Sequence, residues 1–127
     1  MPERTLTQKL MIREGRKVLF VNPPQGYQAM LGRLPANVQV LTRPTAPIDV
    51  IQVFVASSKD LEARLPKLKA ALGPRGVLWV TYHKRTSRVK TDINRDTIRD
   101  YARTLGLEAV AIISVDNDWS ALRLKPV

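Results

Sequence analysis

The segment HKRTSRVK places His83, Lys84, Arg85, Arg88 and Lys90 within a few residues of one another. Flexible ammonium groups and forked guanidinium groups at this density suit the oxygens of a phosphate or another anion. Arg95, Arg99 and Arg103 recur every four residues just beyond and could extend that surface. Asp92, Asp96 and Asp100 are interleaved with them, and this spacing equally supports a solvated helix laced by its own ion pairs. Both readings stand. His83 is the only histidine and has no evident carboxylate partner. It reads first as a hydrogen-bonded surface histidine, then as a phosphate contact, then as an acid or base.

Several chemistries are excluded by residue type. With no cysteine there is no disulfide, thiolate nucleophile or cysteine-based zinc site. One histidine and no close carboxylate pair offer no recognisable metal-ligand set. Ser57 and Ser120 stand outside any G-x-S-x-G sequence, so neither has the setting of a hydrolase nucleophile. Tyr27, Trp79 and Trp119 read as packing residues, although Tyr27 could cover a planar ligand.

The elements that must position these residues are legible as apolar runs between turn signals. The central unit is Asp49–Ser57 (DVIQVFVAS), an amphipathic helix over Ser58–Leu72, and Gly76–Tyr82 (GVLWVTY). Strands without a polar side belong in a parallel sheet covered on both faces. Ser57 and Asp60 fit a capping box, Leu61, Leu65, Leu68 and Leu72 form the helix stripe, and Gly73-Pro74 should close it. Pro66 should kink this helix or restart it. Before the unit come a short helix ending at Gly15, a strand over Arg16–Asn22, a helix within Gln25–Leu34 and a brief strand, Val38–Leu41. After it, a helix starting near Asp92 or Asn94 ends at Gly106, and Leu107–Val115 and Trp119–Leu124 form an antiparallel hairpin. The expectation is one α/β domain: residues 1–15 as an N-terminal extension and 16–125 as a Rossmann-like core, an open, mostly parallel sheet of about six strands with helices on both faces.

This order resembles the S-adenosylmethionine-dependent methyltransferase fold with one early βα unit missing. In that fold the antiparallel last strand would insert beside the strand of Trp79. Gly26-Tyr27, Leu34-Pro35, Asp49 with Phe54, Leu78-Trp79-Val80, His83-Lys84, Thr91-Asp92-Ile93, Gly106-Leu107 and Asp116 through the string Trp119-Ser120-Ala121-Leu122-Arg123 also look like a family of short, uncharacterised bacterial proteins. Some members of that family carry methyltransferase names.

The resemblance implies a cofactor site for S-adenosylmethionine at Asn22, Pro23, Gly26, Tyr27 and Ser57. Two family features are missing there. The loop after the first strand, NPPQGY, has one glycine, and the position for an acidic residue on the ribose hydroxyls is Thr42-Arg43. Asn22-Pro23-Pro24 also resembles the Asn-Pro-Pro-aromatic motif of amino-directed nucleic-acid methyltransferases, with Gln25 in the aromatic place and the motif after a different strand.

The formal charge of +10, from 21 Lys and Arg against 11 Asp and Glu, favours encounter with nucleic acid, nucleotides or other anions. A basic surface can also simply keep copies apart. The leading expectation is a methyltransferase-like domain without a catalytic cycle that binds an anionic ligand or partner. An active methyltransferase and a nucleic-acid-binding module are the alternatives. A homodimer is a further expectation, because an open sheet leaves edge strands to cover. No run approaches the eighteen or so apolar residues of a membrane span, so a soluble protein is expected, and the lack of cysteine fits a reducing cytoplasm.

Overall fold

The computed structural model describes residues 5–45, 47–88 and 91–127. In chain order the elements are α1 (Leu6–Lys9), β1 (Lys17–Val21), α2 (Tyr27–Leu31), β2 (Gln39–Leu41), β3 (Ile48–Phe54), α3 (Ser58–Ala71), β4 (Leu72–His83), α4 (Arg95–Thr104), β5 (Leu107–Ser114) and β6 (Trp119–Pro126). The sheet order is β2-β1-β3-β4-β6-β5. The first four of these strands are parallel, and β6 runs antiparallel to both β4 and β5. The last strand thus inserts beside Trp79, with Trp79 opposite Arg123.

Strands β3 and β4 are buried on both faces, as their apolar runs require. On one face Leu61, Leu65 and Leu68 of α3 and Ile98 and Ala102 of α4 pack against Ile51, Val53, Leu78 and Val80. On the other, Leu10, Ile12 and Tyr27 pack against Val18, Phe20, Val50, Phe54 and Trp79.

Three local expectations change. The first helix stops after about one turn instead of running to Gly15, because the Leu10 carbonyl accepts the Trp79 indole N–H at 2.9 Å and Met11 turns to φ +64°. Leu10 and Ile12, placed by sequence in an extension, are wholly buried in the core. Gly73-Pro74 does not form a turn between helix and strand. β4 begins at Leu72 and bulges, so that Ile48 pairs with Leu72 but Val50 with Val77. A Cβ on Gly73 would sit 3.3 Å from the Ile48 carbonyl oxygen, which explains the bare backbone there. Finally, α3 continues unbroken through Pro66. The proline leaves the Glu62 carbonyl without its helical donor, and the Tyr101 hydroxyl of α4 stands 3.5 Å from that oxygen.

Candidate functional site: two ends of one strand edge

The parallel strands direct their carboxyl ends to one side, where open α/β sheets bind ligands. The candidate residues from sequence separate there into two groups.

The first group follows β1 and β3. Asn22 is left-handed at φ +55°, Pro23 and Pro24 are exposed, and Gly26 occupies the N-cap of α2 at φ +81°. Gly26 has open space where a side chain would stand, so its backbone angle is what calls for glycine. Tyr27 leaves this loop for the core. Its hydroxyl donates to Gln52 Oε1 at 2.6 Å, and Gln52 Nε2 donates to Thr81 Oγ1 at 3.0 Å. Phe20 and Phe54 meet the Tyr27 ring edge-on at 5.7 and 4.7 Å. Burial pushes the Tyr27 phenol well above its ordinary range, so it stays protonated.

Ser57 is the N-cap of α3, its Oγ accepting from Asp60 N–H at 3.1 Å. The expected capping box is displaced by one residue, for Asp60 Oδ2 accepts from Ala56 N–H rather than from Ser57. The segment after β4 then folds back over this junction. Asp92 Oδ1 accepts from Ser58 N–H at 2.8 Å, and Thr91 Oγ1 donates to the Ala56 carbonyl at 2.6 Å. Two of the amides that open α3, those of Ser58 and Asp60, are therefore bonded to the chain's own oxygens.

These residues do not fit S-adenosylmethionine well. After β2, Thr42–Thr45 supplies no carboxylate for a ribose, Tyr27 is committed to Gln52, and Asp92 places a negative charge on the helix end.

The second group surrounds an open cleft of about 590 Å³ at the carboxyl end of β4. It joins Tyr82 and His83 of β4, Lys84 and Arg85 of the next loop, Arg95 of α4 and Ile112 of β5. The His83 ring stacks on Trp119, with centroids 3.9 Å apart, and its Nδ1 lies 3.4 Å from Ser87 Oγ. Lys84 is anchored twice: its N–H donates to the Asp118 carbonyl at 2.8 Å and its ammonium to Ser114 Oγ at 2.6 Å. Arg95 Nε lies 3.8 Å from Asp96 Oδ1, a loose and exposed pairing that leaves its guanidinium open to an anion. Burial raises the Tyr82 phenol, with Arg95 opposing, so Tyr82 offers no base near neutrality.

Other members of the expected cationic set are not among the lining residues. Arg99 pairs with Asp96, an acidic residue of the lining, at 3.4 Å and with Asp100 at 3.3 Å, and Arg88 is exposed outside the lining. Lys90 lies outside the described residues. Ile112 and Ser120 enter the lining from β5 and β6 without a signal in the local sequence, because the hairpin pairing brings them there. Among the described residues no group of three or more metal-ligating side chains forms, and no helix is long and apolar enough to cross a membrane.

The chain superposes on the complex of DhpI with SAH over 96% of its length and 82% of that chain, at 16% identity and a TM-score of 0.65. It matches a TehB-like SAM-dependent methyltransferase from Corynebacterium glutamicum over 96% of its own length and 85% of that chain, at 12% identity and a TM-score of 0.61. This is a methyltransferase-like Rossmann fold, short of one βα unit. A SAM-dependent methyltransferase from Aquifex aeolicus is similar at 17% identity, covering 94% of this chain and 86% of that one, with a TM-score of 0.60. No protein-family model and no curated protein matches the sequence. At these identities the likeness is one of fold alone.

Proposed function

We propose that this methyltransferase-like domain binds an anionic ligand or partner in the cleft beyond β4 and runs no methyl-transfer cycle. The observation that supports the reading most is the convergence of His83, Lys84, Arg85 and Arg95 on one cleft in a chain of net charge +10. Lys84 is positioned by Ser114 and the Asp118 backbone, while Arg85 and Arg95 lie at the rim, so an anion would meet one ordered and two adaptable cations. His83, held against Trp119, contributes a ring nitrogen and no paired carboxylate, which supports contact rather than acid–base work.

The experiment uses Trp119 as its reporter, since it stacks directly on His83 whereas Trp79 is buried in the core. Titration with inorganic pyrophosphate should change the tryptophan emission saturably, and the change should disappear in Trp119→Phe and weaken with added salt. Unchanged emission together with no stabilisation of the protein against heat would overturn the proposal.

A second reading, an active S-adenosylmethionine-dependent methyltransferase, is supported by the likeness to DhpI in complex with SAH. It would need the cofactor held by main chain around Asn22–Tyr27. A nucleic-acid-binding role is the polymeric form of the first reading, supported by the net charge, and predicts that a single-stranded oligonucleotide competes with pyrophosphate.

A further inference from the structure

On the reading that the cleft beyond β4 takes an anion, we propose that its ligand is an organic phosphate monoester whose body is a single compact apolar ring, held against Ile112. The cleft is too large for a bare anion. At about 590 Å³ it falls within the roughly 300–1,000 Å³ of small-molecule sites, whereas a phosphate is only a few times the roughly 30 Å³ of a water.

The sheet register sets the distance between head and body. Tyr82 lies opposite Ser120 and Ser120 opposite Ser114, so these residues form one row across β4, β6 and β5. The Lys84 ammonium is bonded to Ser114 Oγ at 2.6 Å, which fixes a cation at the β5 end of that row. Ile112 stands one same-face step back along β5, about 7 Å away. A phosphate held by Lys84 can therefore lay its ester oxygen and one ring over Ile112.

The lining divides in the same way. Lys84, Arg85 and Arg95 supply its cations, but Ile112, Ile93 and Tyr82 supply apolar surface, and Asp96 adds a carboxylate. A ligand charged along its whole length would press against Ile112 and Asp96, whereas one charged at a single end avoids both penalties. An exposed apolar side chain is ordinary where it stands alone on a surface. Ile112 is 46% exposed inside a concavity whose lining also holds the buried Ile93 and Tyr82, so a ring placed there removes apolar area from water.

Calorimetric titration of the intact chain compares methyl phosphate with phenyl phosphate, which are monoesters with the same head group. The phenyl ester should bind at least about tenfold tighter, equivalent to about 1.4 kcal/mol. Ile112→Ser should bring the two esters within about twofold of each other and leave methyl phosphate unchanged. Val40→Ser, at a similarly exposed apolar residue on β2, should change neither. Lys84→Ala should weaken both alike. Octyl phosphate should bind no tighter than phenyl phosphate, and a further gain of about tenfold would mark a lipid chain as the body and overturn the compact ring. Equal affinity for methyl and phenyl phosphate, or a phenyl preference that survives Ile112→Ser, would overturn the proposal while leaving the anion site standing. If neither ester nor inorganic pyrophosphate binds, the anion reading fails and the ring-bearing ligand fails with it.

Discussion

Asp92 Oδ1 accepts the Ser58 amide at 2.8 Å, so the chain sets its own carboxylate on the first turn of the helix that follows β3. A helix N-terminus is where a scaffold of this kind would otherwise receive an anion. Here Asp92 and Ser57 take the Ser58 and Asp60 amides, Asp60 takes that of Ala56 just before the helix, and the segment after β4 is tied to this junction in doing so. The same tie helps shape the cleft, because Thr91 and Ile93 on either side of Asp92 belong to its lining.

Removing that carboxylate should therefore act at a distance. Asp92→Ala is expected to cost about 1–2 kcal/mol, the size of a lost N-cap interaction. It should also increase hydrogen exchange at Ser58 and loosen the loop that carries Lys84 and Arg85. Denaturant melts read the first effect and amide exchange the second. An unchanged midpoint with unchanged exchange would show the contact to be incidental.

The Tyr27–Gln52–Thr81 chain makes a second prediction. Tyr27→Phe leaves the Gln52 oxygen buried without its donor, which should cost about 1–3 kcal/mol. Replacing the whole set, as Tyr27→Phe with Gln52→Leu and Thr81→Val, removes the polar groups together and should recover most of that loss in urea denaturation.

The same tyrosine sets an alkaline limit. Its folded-state pKa is raised by burial above the ordinary value of 10.0, so above that pH the unfolded chain loses a proton that the folded chain keeps. The folded state then binds more protons, and stability falls as pH rises past about 10. Below that pH the group contributes no slope. Tyr27→Phe should flatten this part of the stability profile, leaving the smaller contribution of Tyr82, which is raised in the same direction.

Pro66 and Tyr101 should be coupled. With proline at 66, Tyr101→Phe removes the hydroxyl donor beside the Glu62 carbonyl and should destabilise by about 0.5–1.5 kcal/mol. In a Pro66→Ala background the helical N–H returns, and the same substitution should have less effect. A double-mutant cycle in which the two changes simply add would contradict the pairing.

Much of this architecture is readable from the sequence because its elements are locally consistent. The apolar runs around Val50–Phe54 and Val77–Tyr82 become the buried parallel strands, and the Asn94 cap and Gly106 delimit α4 as their types suggest. What escapes is decided by distant partners. The first helix ends early because an indole in β4 takes the Leu10 carbonyl, and α3 passes Pro66 with a hydroxyl from α4 beside the freed oxygen. The site divides in the same way. Adjacency in sequence places His83, Lys84 and Arg85 together, but it takes the fold to choose the ion-paired reading for Arg99 and the packing reading for Tyr27, and to bring Ile112 to the cleft.

The decisive measurement is a pair of calorimetric titrations on ligand-free protein, one with S-adenosylhomocysteine and one with inorganic pyrophosphate. Pyrophosphate should bind, and Lys84→Ala or Arg85→Ala should each weaken it about 10- to 100-fold, the equivalent of one charge-assisted hydrogen bond. Arg99→Ala should change it less than about twofold, because exposed pairs of this kind contribute little. S-adenosylhomocysteine should give no heat. Micromolar binding of S-adenosylhomocysteine that is lost in Gly26→Trp, with pyrophosphate silent, would contradict the account and return the active site to the loop after β1.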